Sequence, residues 1–181
     1  MNGGLIAKRY GAALEQYAAE CSQQGECYRD ARALLAVMPS LREYLRAPHP
    51  ASEKMALLDK ATPEACPAFR RFLQVVTAHR REYRLTTILQ SYIAIYKKSR
   101  GIVSARLTVA SPPSDELLKK LETLTLEKTG AKSVEIDVEV NPSIIGGFIY
   151  KVDDRRTDAS VLRQINDLKK AFEFNNTKRL I

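Results

Sequence analysis

The chain has 181 residues, 45% of them hydrophobic and 28% charged, which is the composition of an ordinary globular protein with ample material for a core. Its longest stretch without a charged side chain, residues 85–96, contains Thr, Gln and Ser. That stretch is shorter than the roughly 20 apolar residues that span a bilayer. The N-terminus has no apolar segment typical of a secretion signal, so we expect a cytosolic protein that does not cross a membrane.

The net charge of +8 is distributed unevenly along the chain. Residues 1–105 hold 16 basic and 9 acidic side chains, whereas residues 106–181 hold 13 and 12. Such asymmetry indicates two domains with different surfaces, and it admits nucleic acid or an acidic partner as the ligand of the first.

Hydrophobic residues recur at three- and four-residue steps through the first hundred positions, which predicts amphipathic helices. The six predicted segments are 5–21, 29–38, 40–45, 53–60, one that begins near Pro63, and 82–99. Pro39 is expected to stop the second segment. The first segment is lined with Ala and Tyr, which leaves room for something to lie close against it. Short connections between the segments predict an all-α six-helix bundle over residues 1–105.

From Gly101 the period changes to the two-residue alternation of half-buried strands. Strands are predicted at 103–109, 134–140 and 148–152, with a helix capped by Ser114 between the first two. A closing helix is predicted to be capped by Asp158, and its apolar face either packs on its own sheet or docks on a partner coiled coil. That face is Val161, Ile165, Leu168 and Phe172. Residues 106–181 are therefore expected to form a small α+β domain of three or four strands.

The motifs of catalytic and cofactor-binding sites are missing from the sequence. The pair Gly146-Gly147 lacks a third glycine and a following Lys-Ser/Thr, so we interpret it as a bend or bulge where a strand begins. Two histidines, His49 and His79, give little capacity for general acid–base catalysis. We expect neither an enzyme nor a cofactor.

The three cysteines, Cys21, Cys27 and Cys66, are an odd number at a spacing that matches no zinc motif. We expect three reduced cysteines that pack in the interior, and no metal site.

Arginines cluster on two successive predicted helices, beside aromatic residues, as they do in many nucleic-acid-binding proteins. The cluster consists of Arg70, Arg71, Arg80, Arg81 and Arg84, next to Phe69, Phe72 and Tyr83. Adjacent helical residues point about 100° apart, so each pair is divided between faces, and the aromatic residues have core spacing. A solvated or partner-facing surface is the favoured interpretation, and a basic nucleic-acid-binding helical module is the alternative.

Several segments resemble the delta subunit of F-type ATP synthase, the bacterial counterpart of the oligomycin-sensitivity-conferring protein. These segments are Asn141-Pro142-Ser143-Ile144-Ile145-Gly146-Gly147-Phe148, Asp158-Ala159-Ser160-Val161 with the helix from Gln164 to Leu168, and Ala7-Lys8-Arg9-Tyr10-Gly11-Ala12-Ala13-Leu14. The chain length agrees as well. Two positions depart from the family pattern: Asn141 replaces an Asp before Pro, and His79 replaces the Asn of an Asn-x-Arg motif that ends at Arg81.

The resemblance implies a non-catalytic stator subunit at the cytoplasmic face of the bacterial inner membrane. In this family the N-terminal bundle binds the N-terminal helix of an alpha subunit between its first and fifth helices. The C-terminal domain meets the b subunits of the peripheral stalk, so that rotation is coupled to ATP synthesis. Nucleic acid, small-molecule substrates and direct membrane insertion are not expected.

By this analogy, the alpha-subunit groove is expected on one face of each of two predicted helices. The residues are Tyr10, Ala13, Leu14 and Tyr17 of the first helix and Phe72, Val75, Val76 and His79 of the fifth. Some of them must belong to the core, because one stripe cannot face both ways. No residues are assigned to the stalk contact.

Overall fold

The structure is a computed structural model that describes the backbone of residues 3–178 and the side chains of residues 4–170. Over these residues the chain forms seven α-helices and one four-stranded sheet. It divides into two compact units, Met1–Ser99 and Arg100–Ile181. The division falls slightly before the predicted boundary after residue 105, because the first strand already begins at Ile102.

The first unit is helical, as predicted, but five α-helices replace the six predicted segments. They are α1 (Gly3–Glu20), α2 (Gln24–Arg46), α3 (Ala51–Ala61), α4 (Pro67–Ala78) and α5 (Leu85–Arg100), with a 3-10 turn at Glu82–Arg84 before α5. The predicted fifth helix is therefore α4.

Pro39 does not end a helix, contrary to the prediction, because the segments 29–38 and 40–45 form the single helix α2. An internal proline costs about 3 kcal/mol through its missing N–H and its clash with the preceding turn. Leu34, Met38 and Leu45, on both sides of the proline, are buried in one core, and their burial offsets this cost. Pro39 itself is exposed on the opposite side of the helix.

The core of the first unit draws on all five helices. Its largest fully buried side chains are Leu14, Leu34, Leu45, Leu58, Phe69, Leu73, Val76, Leu85, Ile88, Leu89 and Tyr92. Helix α1 lies against α5 at Gly11, where a Cβ atom would stand 2.9 Å from the backbone nitrogen of Tyr92. Only glycine permits this approach of the two backbones.

A buried ion pair joins three elements of the first unit. Lys54 of α3 lies 2.7 Å from Glu82 of the 3-10 turn, and each side chain is only 7% exposed. The Lys54 ammonium also donates a hydrogen bond of 2.9 Å to the carbonyl of Leu45, in the last turn of α2. The pair therefore fixes the turn between α4 and α5 against the rest of the bundle.

The cysteine prediction holds for two residues of three. Cys27 and Cys66 are free thiols buried in the core with their sulfur atoms 3.1 Å apart, and burial raises the pKa of the Cys27 thiol. Cys21 is exposed at the end of α1 and does not pack in the interior.

The second unit is an α+β structure with four strands in the order β2-β1-β3-β4. Its elements are β1 (Ile102–Val109), α6 (Asp115–Thr129), β2 (Ser133–Val140), β3 (Gly147–Val152), β4 (Arg155–Ser160) and α7 (Val161–Lys178), with a 3-10 turn at Pro142–Ile144. Strand β1 pairs in parallel with β2 and antiparallel with β3, with Leu107 opposite Val138 and Tyr150. Helix α6 covers one face of the sheet and contributes Leu121 to the core.

Short polar side chains and one glycine set the ends of these elements. Ser114 caps α6 by accepting a hydrogen bond from the Leu117 N–H, as predicted. The cap of α7 is Ser160, which accepts from the Arg163 N–H, while Asp158 accepts from the backbone and hydroxyl of Ser160. Asp158 thus supports the cap that it was predicted to form. Gly147 has φ of +72° and a backbone atom of β4 where a Cβ would lie, so no other residue fits this strand start.

We expect Gly11→Ala to lower the free energy of unfolding by about 1–3 kcal/mol, because the added methyl group forces α1 and α5 apart. Gly25→Ala in α2, where a Cβ meets nothing within 4 Å, is the matched control and should raise it by up to about 1 kcal/mol. Urea unfolding followed by circular dichroism at a helix wavelength measures both. Equal effects in the two variants would show that the α1–α5 contact is looser than described.

Glu82→Gln is expected to lower the free energy of unfolding by about 3 kcal/mol, since it leaves the Lys54 charge buried without its counter-ion. The double variant Lys54→Met/Glu82→Leu should recover most of this loss. The control is Asp59→Asn, which removes the exposed partner of Arg70, 3.8 Å away, and should cost less than about 1 kcal/mol. A Glu82→Gln effect as small as that of the control would contradict the interpretation.

Candidate partner-binding groove

An open groove of about 310 Å³ lies between α1 and α4 in the first unit. It is lined by Tyr10, Ala13, Leu14, Tyr17, Arg71, Phe72 and Val75. Tyr10 contacts Arg81, just past the C-terminal end of α4, whereas Tyr17 lies near Arg71 of its first half. The two helices therefore run antiparallel along the groove, which extends for about 10 Å of α1.

The floor of the groove consists of core side chains, and its walls consist of exposed ones. Leu14 is 1% and Phe72 8% exposed, so both belong to the core and show one edge to the groove. Tyr17 and Val75 stand at the sides with 40% and 38% of their surface exposed. The exposed Ala13 between the tyrosines has no bulk to fill the space, which is why a groove remains there.

The structure brings six of the eight predicted groove residues together. Val76 does not line the groove, because it is fully buried on the inner side of α4. His79 occupies the C-cap position after α4, outside the groove.

Arg71 lines the groove but was not predicted to do so. Arg71 lies four residues before Val75, and it is therefore on the same face of the helix. That spacing was the available signal, but Arg71 was counted with the basic cluster. Its guanidinium also donates a hydrogen bond of 3.2 Å to Gln74.

Electrostatics give the groove neutral walls and a basic edge. The hydrogen bond between the side chains of Tyr17 and Cys21 raises the pKa of the Tyr17 hydroxyl, so this phenol is neutral at pH 7. Arg71 supplies positive charge beside it. The arrangement suits an apolar helix that carries an acidic residue at its edge.

Three of the other four clustered arginines have side-chain contacts within the chain, and one of these is Arg70, which lies 3.8 Å from Asp59. Arg81 donates to the Tyr10 hydroxyl and Arg84 to the Tyr83 hydroxyl, at 2.8 and 2.9 Å. Phe69 and Phe72 are buried and therefore unavailable for stacking on bases.

Two apolar surfaces stand out in the second unit. A cavity of about 630 Å³ between α6 and the β3–β4 hairpin is lined by residues that include Leu124, Phe148 and Val152. On α7, Val161 is half-buried, whereas Ile165 and Leu168 are 47% and 60% exposed, so the described part of the predicted apolar face is turned to solvent beyond the first turn of the helix. Phe172, the last predicted member of that face, lies outside the described side chains.

The described residues hold no group of three or more His, Cys, Asp or Glu side chains placed to bind a metal ion. Within the same part of the chain, no helix has the length and apolar character needed to span a membrane.

Comparisons with known proteins agree over most of the chain. The family model for the ATP synthase delta (OSCP) subunit matches residues 6–172. The ATP synthase subunit delta of Phocaeicola vulgatus is 33% identical over 181 residues, covering 97% of this chain and 97% of the relative. That of Rhodopseudomonas palustris strain BisB18 is 36% identical over 147 residues, covering 78% of this chain and 77% of the relative.

The fold agrees with a solved structure as well. A chain in the cryo-EM structure of the Toxoplasma gondii mitochondrial ATP synthase hexamer matches with a TM-score of 0.67 and 16% identity, over 92% of this chain and 97% of that chain. The chain described above belongs to the ATP synthase delta (OSCP) subunit family and is a non-catalytic stator component of an F-type ATP synthase.

Proposed function

We propose that this subunit joins the catalytic head of the ATP synthase to its peripheral stalk and so holds the head still while the rotor turns. The first unit binds the N-terminal helix of an alpha subunit in the groove between α1 and α4. The second unit contacts the b subunits. The observation that carries this proposal is the groove itself, an apolar channel on the surface of the family's N-terminal unit.

The chemistry of the groove suits a helix as its occupant. An amphipathic helix presents anchors at three- and four-residue steps, and the groove offers apolar contacts at the same steps along α1, from Tyr10 through Ala13 and Leu14 to Tyr17. Slow release, which a stator requires, comes from burying such anchors away from water. The positive charge of the first unit steers and orients docking without supplying most of the affinity.

The exposed apolar face of α7 supports the second contact. Leu162, Ile165 and Leu168 recur at three-residue steps and are 38%, 47% and 60% exposed. Such a stripe is costly to leave in water, and helices of a coiled-coil stalk would cover it. Through both contacts the subunit lies peripherally at the cytoplasmic face of the bacterial inner membrane, without a cofactor or small-molecule substrate.

Isothermal titration of the full chain with a peptide of the N-terminal 25 or so residues of its own alpha subunit tests the first contact. We expect tight binding that changes little between low and high salt, since apolar burial dominates the affinity. Duplex DNA is the control ligand, because binding driven by phosphate contacts falls steeply as salt rises. If the chain binds DNA with an affinity that falls steeply as salt rises, and does not bind the peptide, the nucleic-acid alternative is favoured.

Ala13→Trp should fill the groove and weaken peptide binding at least about tenfold, because the indole occupies the space that the anchors need. The matched control is Ala12→Trp, which places the same side chain on an exposed position outside the groove lining. Circular dichroism of both variants should equal that of the wild type. Unchanged affinity in a folded Ala13→Trp variant would show that the alpha subunit binds elsewhere.

A further inference from the structure

We propose that Arg81 is a positioning residue for the groove: its guanidinium holds the ring of Tyr10 in place as the end wall against which the docked helix packs. The inference rests on the proposed function of the groove. The inference goes beyond that function because it gives a defined role to a residue that does not line the groove.

Two contacts of Arg81 restrain Tyr10 at once. The guanidinium donates a hydrogen bond of 2.8 Å to the Tyr10 hydroxyl, and its central carbon lies 5.2 Å from the centre of the ring. The first contact fixes the tip of the side chain, and the second acts on the face of the ring. Tyr10 is half-buried, with one side packed against the core and its outer edge open to solvent.

The backbone of Arg81 is itself held on both sides. Its N–H donates to the carbonyl of Val76 at 3.0 Å, which closes the C-terminal end of α4. Arg80, directly before it, has φ of +52°, a left-handed conformation that non-glycine residues adopt at a cost. Glu82, directly after it, is fixed by the buried pair with Lys54. The guanidinium therefore projects from a rigid turn and can serve as a fixed support.

Loss of this support would change the groove because of the space beside Tyr10. Ala13 lies one turn along α1 and has no side chain that would stop the ring from swinging inward. A ring that samples the groove must be ordered or displaced when the helix docks, and this lowers the affinity. Arg81 thus preorganises the Tyr10 wall of the groove for binding.

The test uses the full chain and the alpha-subunit peptide described above. We expect Arg81→Met to weaken binding about tenfold, the upper end of what ordering one released side chain costs on binding. Arg84→Met is the matched control, since Arg84 makes the same two contacts with Tyr83, at 2.9 and 5.1 Å, outside the groove lining. Arg84→Met should leave the affinity unchanged. Urea unfolding identifies any loss that follows from a destabilised bundle.

A second comparison separates positioning from direct contact with the peptide. In a Tyr10→Ala background, Arg81→Met should have no further effect on affinity, because the ring that it positions is gone. If Tyr10→Ala binds too weakly to measure, Tyr10→Phe replaces it, and the effect of Arg81→Met should shrink there. Arg81→Lys should resemble Arg81→Met, since an ammonium cannot make both contacts. Full affinity in Arg81→Lys would mean that only charge matters and would overturn the proposal.

A spectroscopic measurement on the free protein completes the test. With 3-fluorotyrosine incorporated, the fluorine signal that disappears in Tyr10→Phe reports on this ring, and it should shift and broaden in Arg81→Met. Besides full affinity in Arg81→Lys, three results overturn the inference: an unmoved Tyr10 signal, unchanged affinity in Arg81→Met, or a tenfold loss that persists without the Tyr10 ring. Failure of the wild type to bind the peptide would instead refute the proposed function of the groove.

Discussion

The buried pair of Lys54 and Glu82 is the constraint on which the shape of the first unit depends. Two charges taken from water are stable only with good geometry and further hydrogen bonds, and the Leu45 carbonyl supplies one of these. The pair therefore connects α2, α3 and the turn before α5 in this arrangement. Because Arg81 directly precedes Glu82, that arrangement also fixes the guanidinium that restrains Tyr10, and through it one end of the groove.

The groove reconciles two demands on the same helix. Helix α1 buries Leu14 and Ala18 in the core of the bundle, and under the proposed function it also leaves apolar surface for a partner. Neighbouring positions of a helix point about 100° apart, so Ala13 and Tyr17 stand beside the buried residues and face outward. Leu14 serves both purposes, as core residue and as groove floor. A helix bound here would extend the core outward and would require little rearrangement of it.

What the sequence predicted correctly depends on local spacing. Helical steps identified the helical character of the first unit, and strict alternation identified β2. Pro39 was wrongly predicted to end a helix, because the cost of the proline is offset by the burial of Leu34 and Leu45, which is a tertiary effect. The contact between Arg81 and Tyr10 joins residues 71 positions apart, and no periodicity signals it. Ser160 was passed over as a cap for another reason: Asp158 also has a capping side chain, and only the hydrogen bonds distinguish them.

The two units differ in how much of their apolar surface they bury within the chain. The buried core of the second unit is small, formed among its described side chains by Ala105, Leu107, Val109, Leu121 and Tyr150. Leu124, Ile165 and Leu168 stay exposed on its helices, so much of its apolar surface is unused. A small domain with a small core has little stability to spare, and a partner that covers such surface stabilises the folded state by mass action. Under the proposed function, the stalk contact would stabilise the second unit, whereas the first unit would meet the head with its core already complete.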